Sequence, residues 1–128
     1  MSELDVFIRG NPDVKFCDVL IPDLCNVMRG KRVPIAELGK LYGDGFRVPS
    51  SIMLLDVTGT SSDPGGRGFS DGDPDVIVRP IPGTLHCIPW SKEPTAQVLG
   101  SLYESDGVPC NVDPRNILGA VFEKLNSP

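Results

Sequence analysis

The sequence predicts an α+β domain, and three observations carry the prediction. Short apolar runs of strand composition recur between Gly, Pro and Asp clusters. The 14 glycines and 13 prolines favour short strands and many turns over long helices. One well-capped amphipathic helix closes the chain. At 128 residues there is enough chain for one hydrophobic core, and 40% hydrophobic with 23% charged residues is the composition of an ordinary soluble globular domain.

The elements follow in order. Residues 14–21 (VKFCDVLI) are β-branched and aromatic, with Val14, Phe16 and Asp18 on one face and Lys15, Cys17, Val19 and Ile21 on the other. Pro22-Asp23 breaks the run, and residues 26–34 return as a second strand of a hairpin. Arg29 and Lys31 share a face of that strand while Arg32 points the other way, a pattern that guards a sheet edge. Residues 35–42 read as a short helix on the spacing of Ile35, Leu38, Leu41 and Tyr42. Residues 50–57 (SSIMLLDV) read as a buried strand, and the Gly-, Ser- and Asp-rich residues 58–73 as a long loop. Residues 76–79 and 84–88 are strands joined by Pro80-Ile81-Pro82-Gly83; residues 95–104 are ambiguous, since Val98, Leu99, Leu102 and Tyr103 fit a helix but the pattern alone does not settle it. Asp113-Pro114 opens a helix as cap and first residue, with Ile117, Leu118, Val121, Phe122 and Leu125 on one apolar stripe. A stripe that broad needs a surface to pack on.

Charge and motifs narrow the chemistry. A formal charge of −5 argues against nucleic acid and anionic membrane as partners, and no apolar stretch is long enough for a membrane span. The first residues carry no basic-then-apolar export signal, so a cytoplasmic location is expected. Cys17, Cys25, Cys87 and Cys110 lack zinc spacing and are expected to be reduced, mostly buried thiols. Asp71, Asp73 and Asp75 begin like a calcium loop, but Val76 and Pro82 occupy the positions that need Gly and Glu. Gly65-Gly66-Arg67-Gly68 lacks the Lys-Ser/Thr ending of a phosphate loop. His86 reads as structural, and no nucleophile-elbow motif joins it to a serine.

Five stretches in order carry a resemblance: VKFCDVLIPD at 14–23, MRGKRVP at 28–34, RVPSSIMLLDVTG at 47–59, DGDPDVIVRPIPGTLHCIPW at 71–90 and GVPCNVDPRNIL at 107–118. Together they resemble the N-terminal β-grasp domain of the glutamine synthetase family, nearest the γ-glutamyl-polyamine synthetase branch. The resemblance makes residues 95–104 a strand. Val48 and Pro49 stand where ammonia-using members carry an acidic residue and a glycine, and Leu55 where they carry a tryptophan, so a larger amine than ammonia is implied.

The resemblance implies a β-grasp mixed sheet with a short helix over residues 1–112, and over 113–128 the first helix of a catalytic domain absent from the chain. It implies a glutamate–amine or glutamate–ammonia ligase that uses ATP with Mg2+ or Mn2+, whose N-terminal domain completes the active site of a neighbouring subunit in a homo-oligomeric ring. Its expected partners are its own catalytic domain and those neighbouring subunits. The 128 residues alone are expected to bind no cofactor or metal and to be inactive. Arg47, Ser50, Ser51 and Asp56 are the expected contacts to the neighbour's amine site, with Asp56 facing the cationic amine. The bland alternative for Asp56 is a carboxylate that caps its own turn. The alternative for the whole chain is a free-standing β-grasp interaction or amine-sensing module without catalysis.

Overall fold

The computed structural model describes residues 1–128. Helix α1 (Glu3–Gly10) leads into strands β1 (Phe16–Pro22) and β2 (Met28–Pro34). A 3-10 turn (Ile35–Glu37) runs into α2 (Leu38–Tyr42), and β3 (Phe46–Pro49) follows. After further 3-10 turns at Ser50–Leu54 and Pro64–Gly66 come β4 (Asp75–Pro80), β5 (His86–Cys87), β6 (Thr95–Tyr103) and α3 (Pro114–Asn126). The α+β class is as the sequence predicts. Helix α1 was not anticipated; Ser2 caps it by accepting from the Asp5 amide, and the Asp5 carboxylate accepts from the Ser2 amide in return.

The strands form a six-stranded sheet in the order β2-β1-β6-β4-β3, with β5 beside the first half of β6. Strand β1 pairs antiparallel with β2 and parallel with β6, whereas β4 and β5 run antiparallel to β6. The β1 alternation is the predicted one, since Cys17, Val19 and Ile21 are buried. They join Val76, Val78, Val98 and Leu102 from the sheet, with Leu38 and Leu41 of α2 and Met53. The two outer strands approach each other, because the Lys31 ammonium of β2 sits 4.7 Å from the centre of the Phe46 ring of β3. Beneath that contact lies an apolar cavity of about 200 Å³ walled by Val19, Ile21, Phe46, Val48, Ile52 and Val78.

Strand β6 is the residue run that pattern left open. Its neighbours decide it: β1 covers one edge through Leu99, and β5 then β4 cover the other. Where β5 gives way to β4, the Thr84 hydroxyl accepts the Leu99 amide and the Ile81 amide donates to the Leu99 carbonyl, so the Pro-Gly-Thr turn fills the gap in the ladder.

Two expectations need correction. Residues 50–57 are not a strand. The chain leaves β3 at Pro49 and coils into a 3-10 turn over Ser50–Leu54, because Asp73 supplies acceptors for the Ser51 amide and hydroxyl. The thiols are not mostly buried: Cys17 and Cys110 are, but Cys25 and Cys87 are exposed, and all four are free.

Candidate functional site

The expected site residues lie on the segment between β3 and β4, and its aspartates determine its shape. Asp73 gathers the start of the segment. It accepts from the Ser51 amide at 2.9 Å, the Ser51 hydroxyl at 2.7 Å and the Ser50 hydroxyl at 3.4 Å. Asp63 accepts from the Phe69 and Ser70 amides and the Ser70 hydroxyl, and Asp71 from the Gly68 and Asp73 amides. These are Asx-type caps, short carboxylates turned back on nearby backbone. Their hydrogen bonds hold both carboxyls below the usual range, led by the Ser70 hydroxyl for Asp63 and the Gly68 amide for Asp71. Arg67 then ties the loop to the end of β6, donating to Glu104 at 2.8 Å. A long polar loop thereby becomes one ordered shape.

Asp56 has two sides. Its Oδ1 accepts from the Thr58 amide at 2.8 Å, the Thr58 hydroxyl at 2.6 Å and the Thr60 amide at 3.0 Å. The Thr58 hydroxyl, then the Thr60 and Thr58 amides, hold its carboxyl below the usual range. Oδ2 takes part in none of these bonds, and the residue is exposed. Asp56 therefore caps its own turn with one oxygen and offers the other, as part of an anionic group, to solvent. The turn-capping reading of this residue is seen in the geometry of Oδ1.

Of the other expected contacts, Ser50 is fully buried beneath Asp73 and Ser51 is engaged by it. Arg47 lies on β3 opposite Ile77, exposed, and alternates with the inward Phe46. Asp73 thus brings Ser50 and Ser51 together, while Arg47 and Asp56 stand apart from that cluster without a hydrogen bond to it. The sequence reading missed Asp73, whose role depends on a partner more than twenty positions upstream. No group of three His, Cys, Asp or Glu side chains converges to hold a metal ion.

A second feature is the placement of α3. Asp113 is fully buried and makes two bonds with its two oxygens, accepting from the Arg115 amide of its own helix at 2.9 Å and the Leu102 amide of β6 at 2.8 Å. Asn116 donates to the Leu102 carbonyl at 2.8 Å and the Cys110 carbonyl at 3.1 Å. The start of α3 is pinned to the sheet, yet Leu118, Phe122 and Leu125 are 69%, 66% and 79% exposed. The apolar stripe faces away from the domain's core. The hairpin turn continues it, with Leu24 and Met28 half exposed beside Leu118.

No protein-family model matches the chain. Among curated proteins it is 32% identical over 124 residues to the gamma-glutamylputrescine synthetase PuuA of Escherichia coli K12, covering 97% of this chain and 26% of that protein. It is 32% identical over 111 residues to a glutamine synthetase of Pyrococcus abyssi, covering 87% of this chain and 22% of that protein. A solved structure of GmaS in complex with ADP superposes with a TM-score of 0.74 at 22% identity, over 97% of this chain and 25% of that one, which shows a shared fold. The chain spans about a quarter of the length of the relatives it matches. Over that segment, the chain's homologues are members of the glutamine synthetase family.

Proposed function

We propose that the chain is the N-terminal, β-grasp domain of an ATP-dependent glutamate–amine ligase, and that it contributes the amine-facing wall of a neighbouring subunit's active site in a homo-oligomeric ring. Residues 1–112 form the β-grasp unit and residues 113–128 begin the catalytic domain. The observation that carries the reading is Asp56: an exposed carboxylate held in its charged form, with one oxygen tied down by its own turn and the other free.

That geometry suits a protonated amine. A carboxylate whose proton affinity is lowered is a poor general base but a good partner for a cation. Asp56 would hold the incoming ammonium group rather than take its proton. Arg47 on β3 would contribute positive charge elsewhere on the wall, and Ser50 and Ser51 would act through Asp73 to hold the segment in shape. The loop carboxylates are engaged by backbone and hydroxyl donors, and no three metal-ligating side chains converge, so this segment does not itself fit a metal–nucleotide centre. Activation of glutamate by ATP with Mg2+ or Mn2+ belongs to the remainder of such an enzyme. Two further features support the reading. The relative matched over 97% of the chain joins glutamate to putrescine by name. The orphaned stripe of α3 would be covered by the following domain.

Subunit mixing tests the proposal. The longer protein that carries this segment is prepared in two inactive forms, one Asp56→Ala and one with a metal-ligand glutamate removed from its catalytic half. Each form alone forms little γ-glutamyl amide from glutamate, ATP and putrescine. Mixed rings recover a substantial fraction of activity, because some sites combine an intact wall with an intact centre. Mixed rings as inactive as the parents would reject the shared site.

A further inference from the structure

The turn between β1 and β2, with the start of β2, is joined to the Asp56 segment by three bonds from residues remote in sequence. The Leu24 amide donates to the Met53 carbonyl at 3.4 Å, and the Cys25 thiol to the Leu55 carbonyl at 3.7 Å. The third bond is the shortest. Arg29 Nη2 donates to the Asp56 carbonyl at 2.9 Å while its Nε donates to Asp23 Oδ2 at 2.8 Å. The Asp23 side chain is inaccessible to solvent, and its other oxygen accepts from the Cys25 and Val27 amides. The Nε of the guanidinium is therefore clamped by a rigid buried carboxylate, and the neighbouring Nη2 reaches the turn. The Asp56 carbonyl also accepts the Gly59 amide, and the Asp56 amide donates to the Thr60 carbonyl, so the Arg29 bond lands on the residue that organises residues 56–60.

We propose that Arg29 is a positioning residue for amine recognition: clamped by Asp23, it fixes the Asp56–Thr60 turn relative to the sheet and thereby sets where the free oxygen of Asp56 stands. The inference rests on the proposed role of Asp56. Two nitrogens of one planar cation are needed, because Nε meets the carboxylate and Nη2 meets the carbonyl. A lysine at position 29 supplies charge to Asp23 but is a compact point donor that cannot span both acceptors. Asp23 also explains why the clamp persists. Burial pushes its carboxyl up, but the Val27 amide, Arg29 and the Cys25 amide together hold it below the usual range, so the anion is retained.

Arg29→Lys separates positioning from folding. In the 128-residue chain, this variant is expected to exchange the Gly59 and Thr60 amide hydrogens about tenfold faster, with the Val98 and Leu102 amides of β6 unchanged. Unchanged exchange at Gly59 and Thr60 would overturn the proposal. An equal rise across β6 would also overturn it, by showing that Arg29 supports the whole fold. In the longer ligase, Arg29→Lys is expected to raise KM for putrescine about fivefold while KM for ATP and glutamate stays fixed. An unmoved putrescine KM would overturn the positioning role. Asp56→Asn read in the same assay keeps the two ideas apart. If it raises KM and Arg29→Lys does not, only the Arg29 inference falls; if Asp56→Asn has no effect, the amine reading of Asp56 fails and the Arg29 inference falls with it.

Discussion

Replacing Asp113 tests whether α3 is merely capped or is fastened to the sheet. A helix cap needs one acceptor, and Asn serves there as well as Asp. Asp113 uses two, one oxygen for the Arg115 amide and the other for the Leu102 amide in the middle of the domain. Asp113→Ala removes a cap, which costs about 1 kcal/mol. It also strands the Leu102 N–H in a buried site, which costs about 2 kcal/mol. The expected loss is thus about 3 kcal/mol, equivalent to a fall in Tm of about 10 °C for a chain of this size. Asp113→Asn discriminates. Its carbonyl oxygen satisfies one amide, but its NH2 group then faces the other N–H, donor against donor, so about 2 kcal/mol should still be lost. Urea denaturation followed by circular dichroism gives both values, with an unchanged dependence on denaturant showing that the folded and unfolded states remain comparable. If Asp113→Asn lies within about 0.5 kcal/mol of the parent, Asp113 is only a cap and the fastening argument is wrong.

Further outcomes are expected elsewhere. Hydrogen bonds hold Asp23 low, and Arg32 first of all does so for Asp18, with an ordinary carboxyl value of 3.8 in each case. Their contribution to stability is therefore complete well above pH 3.8 and is lost as pH falls through the lower folded values. Asp23→Asn should flatten that acid limb of the stability–pH curve. Burial, and secondarily Asp18, pushes the Cys17 thiol up to about 12, so in the native chain an alkylating reagent should label Cys25 and Cys87 and spare Cys17 and Cys110. Peptide mass spectrometry reads the pattern, and labelling of Cys17 at the rate of Cys25 would refute the burial. Gly30→Ala should prevent the β1–β2 hairpin from keeping its register, because the new Cβ would collide with the Val19 carbonyl at a φ of +154°. Loss of the folded circular dichroism spectrum, or a fall of at least ~3 kcal/mol in stability, is the expected result.

The fold was legible where a residue's fate depends on its near neighbours. The alternation Cys17, Val19, Ile21 and the Asp113-Pro114 helix start are local patterns, and both appear as read. Residues 50–57 were misread because their apolar content matches a strand, while the acceptors that coil them come from Asp73. Strand β6 was ambiguous for the same reason. Its period fits a helix, and only edges supplied by β1, β4 and β5 make the extended form the lower in free energy. For the candidate site, the type and place of Asp56 could be read, but the division of labour between its two oxygens could not. That depends on Thr58 and Thr60 folding back, and on Arg29 of β2 reaching the Asp56 carbonyl from 27 positions upstream.

The parallel pairing of β1 with β6 also dictates an order of events during synthesis. Phe16 finds its partner on that edge only when Thr95 has been made, since the register joins Phe16 to Thr95 and Leu20 to Leu99. The β1–β2 hairpin can form early, because its pairing is local. Until β6 leaves the ribosome, however, β1 presents an open edge of hydrogen-bonding groups beside the apolar Cys17, Val19 and Ile21. The nascent chain must keep that edge from other strands, and the sheet is completed only when β6 pairs between β1 and β4. A ribosome that pauses before Thr95 would lengthen the interval in which the chain is most prone to self-association.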